Sequence, residues 1–167
     1  MTSPLQLEHG LWLEGPRVLI PWLTPRSALM TRGAPKVEIA GPSIDLTWDG
    51  PGFGGLDGVF KTHLGDGATT GPASWYAADR LTYWDFTFYA SNLDERAKFE
   101  HLARLFREHI GVGVAWSEQG LPTILWEHAG YSLGLALAER FDSPYCSLRI
   151  SHASNRHMTL ARHGPRT

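Results

Sequence analysis

Residues 82–110 read TYWDFTFYASNLDERAKFEHLARLFREHI, and this stretch decides the fold. At its start an aromatic side chain recurs at every second position, at Trp84, Phe86 and Phe88. The intervening positions are Tyr83, Asp85, Thr87 and Tyr89. A period of two is typical of a half-buried antiparallel strand. We therefore predict a strand over residues 82–90 with one core face and one wet face.

The second part of the stretch has a helical period. Apolar residues recur at three- and four-residue spacing, and charged residues fill the positions between them. The apolar positions are Phe99, Leu102, Leu105, Phe106 and Ile110. Ser91 followed by Asp94 resembles a capping box, and Gly111 is a natural helix stop. This pattern predicts an amphipathic helix over residues 92–110 that packs on a sheet.

The flanking sequence predicts further antiparallel strands. Two short strands surround Gly15-Pro16, and Thr24 is expected to cap a short helix that begins at Pro25. Strict alternation predicts a strand over 44–48, a turn at 49–52 and a return strand over 53–64. Later strands surround turns at 129–130 and 142–144. We predict an α+β fold: one domain over residues 1–152 with a mostly antiparallel sheet, one long helix and one short helix. Residues 153–167, with three arginines and no acid, are expected to be a frayed basic tail.

A short internal match relates the two halves of the chain. Trp48-Asp49 with Gly52-Phe53 is repeated as Trp126-Glu127 with Gly130-Tyr131, 78 positions later. Each copy follows a predicted helix and opens a predicted hairpin. The match indicates a duplicated strand-helix-hairpin unit, although one matched hexamer also arises by chance. Both interpretations stay open at this point.

Composition bounds the class of protein. A single cysteine among 167 residues excludes an intramolecular disulfide, and residues 1–15 have neither a basic head nor a long apolar run. No apolar stretch approaches the ~18 residues that a membrane helix needs. We therefore expect a cytoplasmic protein with no membrane partner.

Charge is distributed unevenly along the chain. Residues 37–79 carry six acids and one base, whereas residues 139–167 carry five bases and two acids. Such asymmetry can steer a charged partner within a Debye length of about 8 Å in physiological salt. The acidic middle argues against nucleic-acid binding through that region.

Candidate catalytic and metal-binding residues are few. Cys146 shares its strand parity with Leu148 and Ile150, so we expect a buried thiol and no nucleophile. His101 and His109 are eight residues apart, which is not the spacing of a two-ligand helical metal site. The sequence predicts no metal and no cofactor.

Other motifs also lack the partners that their chemistry needs. The glycines of residues 50–58 have no phosphate-loop lysine and no following helix. His63 and Asp66, near Asp57, could form an acid–base cluster, but polar residues near a loop are mostly solvated. We predict no catalytic residue and no enzymatic activity.

Two features point instead to a protein partner. The first is a run of acids, which comprises Asp45, Asp49, Asp57, Asp66 and Asp79 together with Glu38. Asp45 alternates with core residues and must face the wet side of the sheet. The second is the pair Trp75 and Tyr76 in the long irregular segment 65–78, since both residue types anchor protein interfaces. A solvated acidic face with aromatics folded onto the core is the alternative interpretation.

Several short motifs define the layout of about residues 17–152. They are Pro21-Trp22 and Thr24-Pro25, Trp48 before Gly54-Gly55, the amphipathic helix, Trp126 before a hairpin, and Leu148-Arg149-Ile150. In this layout, the chain resembles the small cytoplasmic immunity proteins that accompany bacterial polymorphic or contact-delivered toxins. The resemblance implies a non-enzymatic protein that binds and blocks one cognate toxin. The acidic middle would suit a basic toxin such as a nuclease.

Two other classes stay open. A secretion chaperone would hold an extended partner segment and would dimerise through an apolar helix face, but the single apolar stripe of this helix is needed by the sheet. A small-ligand-binding or enzymatic domain would need an apolar pocket with convergent polar groups. We expect a monomer or a weak dimer.

Overall fold

The computed structural model describes residues 6–67, 78–89, 91–118 and 120–155. These ranges contain helices α1 (Arg26–Leu29) and α2 (Glu95–His109). Their strands are β1 (Gly10–Leu13), β2 (Val18–Pro21), β3 (Lys36–Ala40), β4 (Ser43–Pro51), β5 (Asp57–Leu64), β6 (Tyr83–Phe88), β7 (Val114–Glu118), β8 (Leu121–Glu127), β9 (Tyr131–Arg140) and β10 (Ser143–His152). The predicted α+β fold, with one long helix, one short helix and a mostly antiparallel sheet, is confirmed.

Eight of these strands form one antiparallel sheet in the order β3-β4-β5-β6-β10-β9-β8-β7, while β1 and β2 form a separate ribbon. Each half of the large sheet is a four-strand meander, and the halves meet through their last strands, β6 and β10. A helix precedes each meander, α1 before β3 and α2 before β7. The same order of elements therefore occurs twice.

The two tryptophans of the internal sequence match occupy equivalent places in the two halves. Trp48 lies in the second strand of the first meander, and its indole Nε1 donates to the carbonyl of Arg32 at 2.9 Å, just after α1. Trp126 lies in the second strand of the second meander, and its Nε1 donates to the carbonyl of Gly111 at 2.8 Å, just after α2. Each buried indole thus ties a helix end to the sheet of its own half.

Local chemistry sets the ends of α2 close to the predicted positions. The helix begins at Glu95, because the Asp94 side chain caps it by accepting from the Ala97 N–H at 2.7 Å. Ser91, which we expected to be the cap, instead accepts from the Leu93 N–H. At the other end the Gly111 N–H donates to the carbonyls of Phe106 and Arg107, and Gly111 has a φ of 112°. A positive φ costs glycine little, so the helix stops there.

The core lies between the sheet and the layer made by α2, α1 and the β1–β2 ribbon. Phe99, Leu102 and Phe106 of α2 are buried on it, as the helical period predicted. Aromatic rings continue the core across both halves of the sheet with mostly edge-to-face contacts, through Trp48, Phe53, Phe60, Trp84, Phe86, Phe106 and Trp126. The halves share one core, so they form one domain.

Two turns and the start of α1 differ from their predicted positions. Residues 49–51 continue β4 and pair with residues 57–59, so the turn lies at 52–56. Pro51 is tolerated because β3 pairs with β4 only as far as Thr47, which leaves the end of β4 at an edge. Pro25 occupies the N-cap position of α1, and the Thr24 hydroxyl donates to the Pro21 carbonyl instead of capping. The turn into β10 is formed by Phe141 and Asp142, both with positive φ.

Cross-strand register defines a second sheet face, opposite α2. Thr47, Lys61, Asp85 and Arg149 stand side by side on it across β4, β5, β6 and β10. Tyr83 was expected to be wet on this face but is 4% exposed. The Arg149 guanidinium lies 4.9 Å from its ring centroid and helps to cover it.

The chain beyond β10 begins with a packed segment. Residues 153–155, which we expected to start the tail, form a 3-10 turn in which Asn155 is buried and donates to the Thr82 hydroxyl at 2.8 Å. The other residues of the predicted tail lie outside the described ranges.

Candidate functional site

The second sheet face carries a cluster of charged and polar side chains on β3, β4 and β5 and at the residue that follows β6. We call it the charged face and define it by Lys36, Glu38, Asp45, Asp49, Lys61, His63 and Tyr89. Register places Glu38 opposite Asp45, and Asp45 opposite His63. Directly opposed side chains in a sheet are about 4.5–5.5 Å apart at Cβ, so these groups interact directly.

Asp45 is the centre of the charged face. Its carboxylate oxygens lie 2.7 Å from Lys61 Nζ and 2.7 Å from His63 Nδ1. Partial burial by itself would raise the pKa of Asp45, but the hydrogen bonds and charges of Lys61 and His63 outweigh it and lower the pKa below the ordinary value. Asp45 is therefore a fixed negative charge, held in place by two neighbours.

Pairs also form at the edges of the charged face. Lys36 Nζ lies 2.6 Å from a Glu38 carboxylate oxygen, and the hydrogen bond and opposite charges of this exposed pair raise the pKa of Lys36 and lower that of Glu38. At the other end the Tyr89 hydroxyl donates to Asp49, and this hydrogen bond raises the pKa of Tyr89. The Tyr89 side chain is nevertheless 47% exposed. The charged face thus presents a large aromatic ring whose hydroxyl is fixed by its hydrogen bond to Asp49.

Toward the middle of the sheet the charged face borders a partly buried ion pair. Arg149 donates from Nε and Nη2 to the two carboxylate oxygens of Asp85, each at 2.6 Å. Such bidentate pairs are geometrically specific. Asp85 is also in register with Lys61, so charges alternate in sign from β5 to β10.

A cleft opens next to this pair, where β6 and β10 separate. Its cavity of about 480 Å³ is lined by Lys61, Asp85, Phe86, Thr87, Phe88, Glu95, Arg140, Pro144, Tyr145, Cys146, Ser147 and Leu148. The first turn of α2 closes the cleft on the core side. Glu95 accepts from the Cys146 N–H at 2.7 Å, and it is paired with Lys98, whose side chain is 4% exposed.

The structure separates the acids that the sequence grouped. Asp57 begins β5 beside Tyr89, whose N–H donates to the Asp57 carbonyl, and Asp49 lies at the same end of the sheet. Asp66 follows the opposite end of β5, and the seven residue-to-residue steps of this strand, at ~3.3 Å each, separate its two ends by about 23 Å. Asp66 and Asp79 line a second cavity of about 390 Å³ next to Arg26. Trp75 and Tyr76 lie outside the described residues, so their predicted role stays a prediction.

Sequence reasoning placed Cys146 well but missed other residues of the site. Cys146 is 5% exposed, and burial raises the pKa of its thiol to about 12. Lys98 and Arg149 are buried charges that the sequence patterns do not single out. Alternation within β6 and within β10 indicates that Asp85 and Arg149 each face away from the core. Only the pairing of β6 with β10 brings the two side chains together.

Two further findings concern ligands and membranes. Among the residues that the structure describes, no group of three or more histidine, cysteine, aspartate or glutamate side chains could hold a metal ion. No helix in these ranges is long and apolar enough to cross a membrane.

Comparisons of the chain with protein-family models, with curated proteins and with solved structures gave no match.

Proposed function

We propose that this chain is a non-enzymatic, cytoplasmic immunity protein that binds a cognate bacterial toxin and blocks it by occlusion, with the charged face as its binding surface. The observation that carries the proposal is the arrangement around Asp45, where a carboxylate on a sheet face is held by Lys61 and His63 at 2.7 Å each. Groups that are already ordered lose less conformational entropy when a partner binds. The proposal requires neither a cofactor nor a catalytic residue.

The balance of charge favours a basic partner. The charged face carries the acids Glu38, Asp45 and Asp49 and the bases Lys36 and Lys61. Asp57 adds a fourth acid at its rim. Complementary charge increases the rate of encounter and fixes orientation more than it increases affinity. A basic toxin such as a nuclease, whose active-site cleft attracts phosphate, therefore fits this surface better than an acidic protein.

Tyr89 supplies an apolar contact within the charged face. Its ring is 47% exposed, while its hydroxyl donates to Asp49 and its backbone is held by Asp57 and Lys98. Tyrosine is enriched among the residues that dominate interface energies, and an ordered ring costs little entropy on binding. Tyr89 is thus the expected anchor of the complex.

Calorimetric titration of the purified cognate toxin into variants of Tyr89 tests the proposal. Tyr89→Ala should weaken binding by about 2 kcal/mol or more, the loss typical of an interface hot spot. Tyr89→Phe keeps the ring and should lose less. Phe141→Ala is the matched control, because Phe141 is 87% exposed but lies in the turn between β9 and β10.

Three outcomes would contradict the proposal. Unchanged affinity for Tyr89→Ala would move the interface away from the charged face. A comparable loss for Phe141→Ala would show that the effect is not local to Tyr89. Failure of the protein to bind or protect against any toxin encoded beside its gene would overturn the immunity function itself.

A further inference from the structure

The central strands of the sheet do not stay paired along their whole length. β6 and β10 are in register from Tyr83 and Ser151 to Phe86 and Leu148. Beyond Leu148, residues 143–147 of β10 continue beside β9, and residues 87–88 of β6 continue beside β5. Within the described part of the chain, these two stretches are not paired with each other. The cleft of about 480 Å³ lies between them.

Backbone groups of both strands point into the cleft. The Tyr89 N–H donates to the Asp57 carbonyl on β5, so the neighbouring Phe88 N–H and C=O face the opposite side, toward β10. On β10 the Cys146 N–H points toward β6, but it donates to the Glu95 carboxylate and not to a carbonyl of β6. The carbonyls of Pro144 and Cys146 therefore face the cleft as well.

Side chains hold the separation in place. Lys98 donates to both Glu95 and the Tyr89 carbonyl, and Glu95 accepts from the Cys146 N–H. The first turn of α2 thus connects the end of β6 to β10 across the gap. Pro144 has no N–H with which to close it. Lys98 is buried and hydrogen bonded, so its contacts hold the two strands apart on the core side of the sheet.

The cleft has many charges but little net charge. Lys61 is paired with Asp45, Asp85 with Arg149, and Glu95 with Lys98. The fourth charged residue of the lining, Arg140, is exposed, and its guanidinium lies 5.2 Å from the Phe141 ring centroid. Apart from Arg140, the charged side chains of the lining are therefore paired, and the groups left to recognise a ligand are largely backbone carbonyls and the Phe88 N–H. A neutral polar chain with regularly spaced donors and acceptors fits such walls better than an ion does.

We infer that the cleft between β6 and β10 is a binding site for an extended peptide segment of a partner protein, which adds a short strand between them. Residues 143–147 offer about 14 Å of edge at ~3.4 Å per residue, enough for four residues. Donors of the segment would meet the Pro144 and Cys146 carbonyls, and an acceptor would meet the Phe88 N–H. Such strand addition draws its affinity from main-chain hydrogen bonds. This site does not depend on the partner being a toxin.

The test uses a phage-displayed library of random linear octapeptides, selected on the full-length protein. Selected peptides should bind the wild-type protein and lose about tenfold or more in affinity for Thr87→Trp, which places a ring over the exposed cleft wall. Ser117→Trp is the matched control, since Ser117 is an exposed strand residue on β7, outside the cleft. It should bind the peptides as the wild type does. Circular dichroism and thermal melts of both variants check that the fold is kept.

A second measurement uses the unmodified protein. Amide hydrogen exchange at Phe88 should slow by about tenfold or more when a selected peptide is added, because its N–H becomes hydrogen bonded. Selection of no peptide, equal binding by Thr87→Trp, or unchanged exchange at Phe88 would each overturn the inference. None of these results bears on toxin binding by the charged face, which the Tyr89 variants test separately.

Discussion

Replacing Phe106 by alanine should remove a large part of the stability of the domain. Phe106 is fully buried, and its ring centroid lies 5.5 Å from Phe53 and 5.6 Å from Trp126, both edge to face. A buried Phe→Ala substitution costs about 3–5 kcal/mol. Each aromatic pair adds about 0.5–1.5 kcal/mol beyond its buried area, which places this site at the upper end. A domain of this kind has only about 5–15 kcal/mol in total.

Urea denaturation, followed by tryptophan fluorescence, measures this loss. With a slope of about 2 kcal/mol per molar urea, a loss of about 4 kcal/mol lowers the midpoint by about 2 M. Arg104→Ala, an exposed change on the same helix, should stay within about 0.5 kcal/mol of the wild type. A loss under about 1 kcal/mol for Phe106→Ala would refute the packing of α2 on the sheet.

Three further predictions concern other parts of the structure. Trp126→Phe removes the indole bond to the Gly111 carbonyl and should cost about 1–3 kcal/mol in urea denaturation; Trp126→Leu, which removes the ring as well, should cost more. Native Cys146 should react with a thiol reagent at pH 8 about 10³-fold more slowly than after unfolding, because a pKa of about 12 leaves little thiolate; rapid native labelling would contradict its burial. Because its pKa is lowered, the Asp45 carboxylate stabilises the fold above the ordinary carboxyl pKa and loses that contribution as pH falls through the folded pKa, so Asp45→Asn should differ most from wild type near neutral pH and least at pH values below the folded pKa. An equal difference at every pH would show that Asp45 stabilises the fold by some other means.

The parts of the fold that depend on local periodicity could be predicted from the sequence. The alternation of Trp84 and Phe86 and the helical spacing of Phe99, Leu102 and Phe106 are set within a few residues, and the structure confirms their burial. The internal match at Trp48 and Trp126 also indicated the repeated order of elements. Such patterns follow directly from the periods of strands and helices.

The arrangement of the charged face could not be predicted, because it depends on register. Moving the turn from 49–52 to 52–56 changes which residues of β4 and β5 stand opposite each other. Only the observed register brings His63 and Lys61 to Asp45. A small shift in turn position changes every cross-strand pair, and the alternation of one strand does not reveal it.

The cleft depends on contacts that are still more distant in the chain. Asp85 and Arg149 are 64 residues apart, and Glu95 and Cys146 are 51 apart. Lys98 is buried because it lies in α2 next to the point where β6 and β10 separate. The helical pattern of α2 alone would predict a solvated lysine at this position. No local pattern marks these pairs.

Stopped-flow association of the purified cognate toxin tests the central claim about the charged face most directly. The double variant Glu38→Gln with Asp49→Asn is compared with a control that removes two exposed acids from α2, Glu100→Gln with Glu108→Gln. Electrostatic steering predicts that the first variant associates about tenfold more slowly at low salt and shows a flatter salt dependence, while the control matches the wild type. Equal association rates and equal salt dependence for the wild type and both variants would contradict the claim that the charged face binds the toxin.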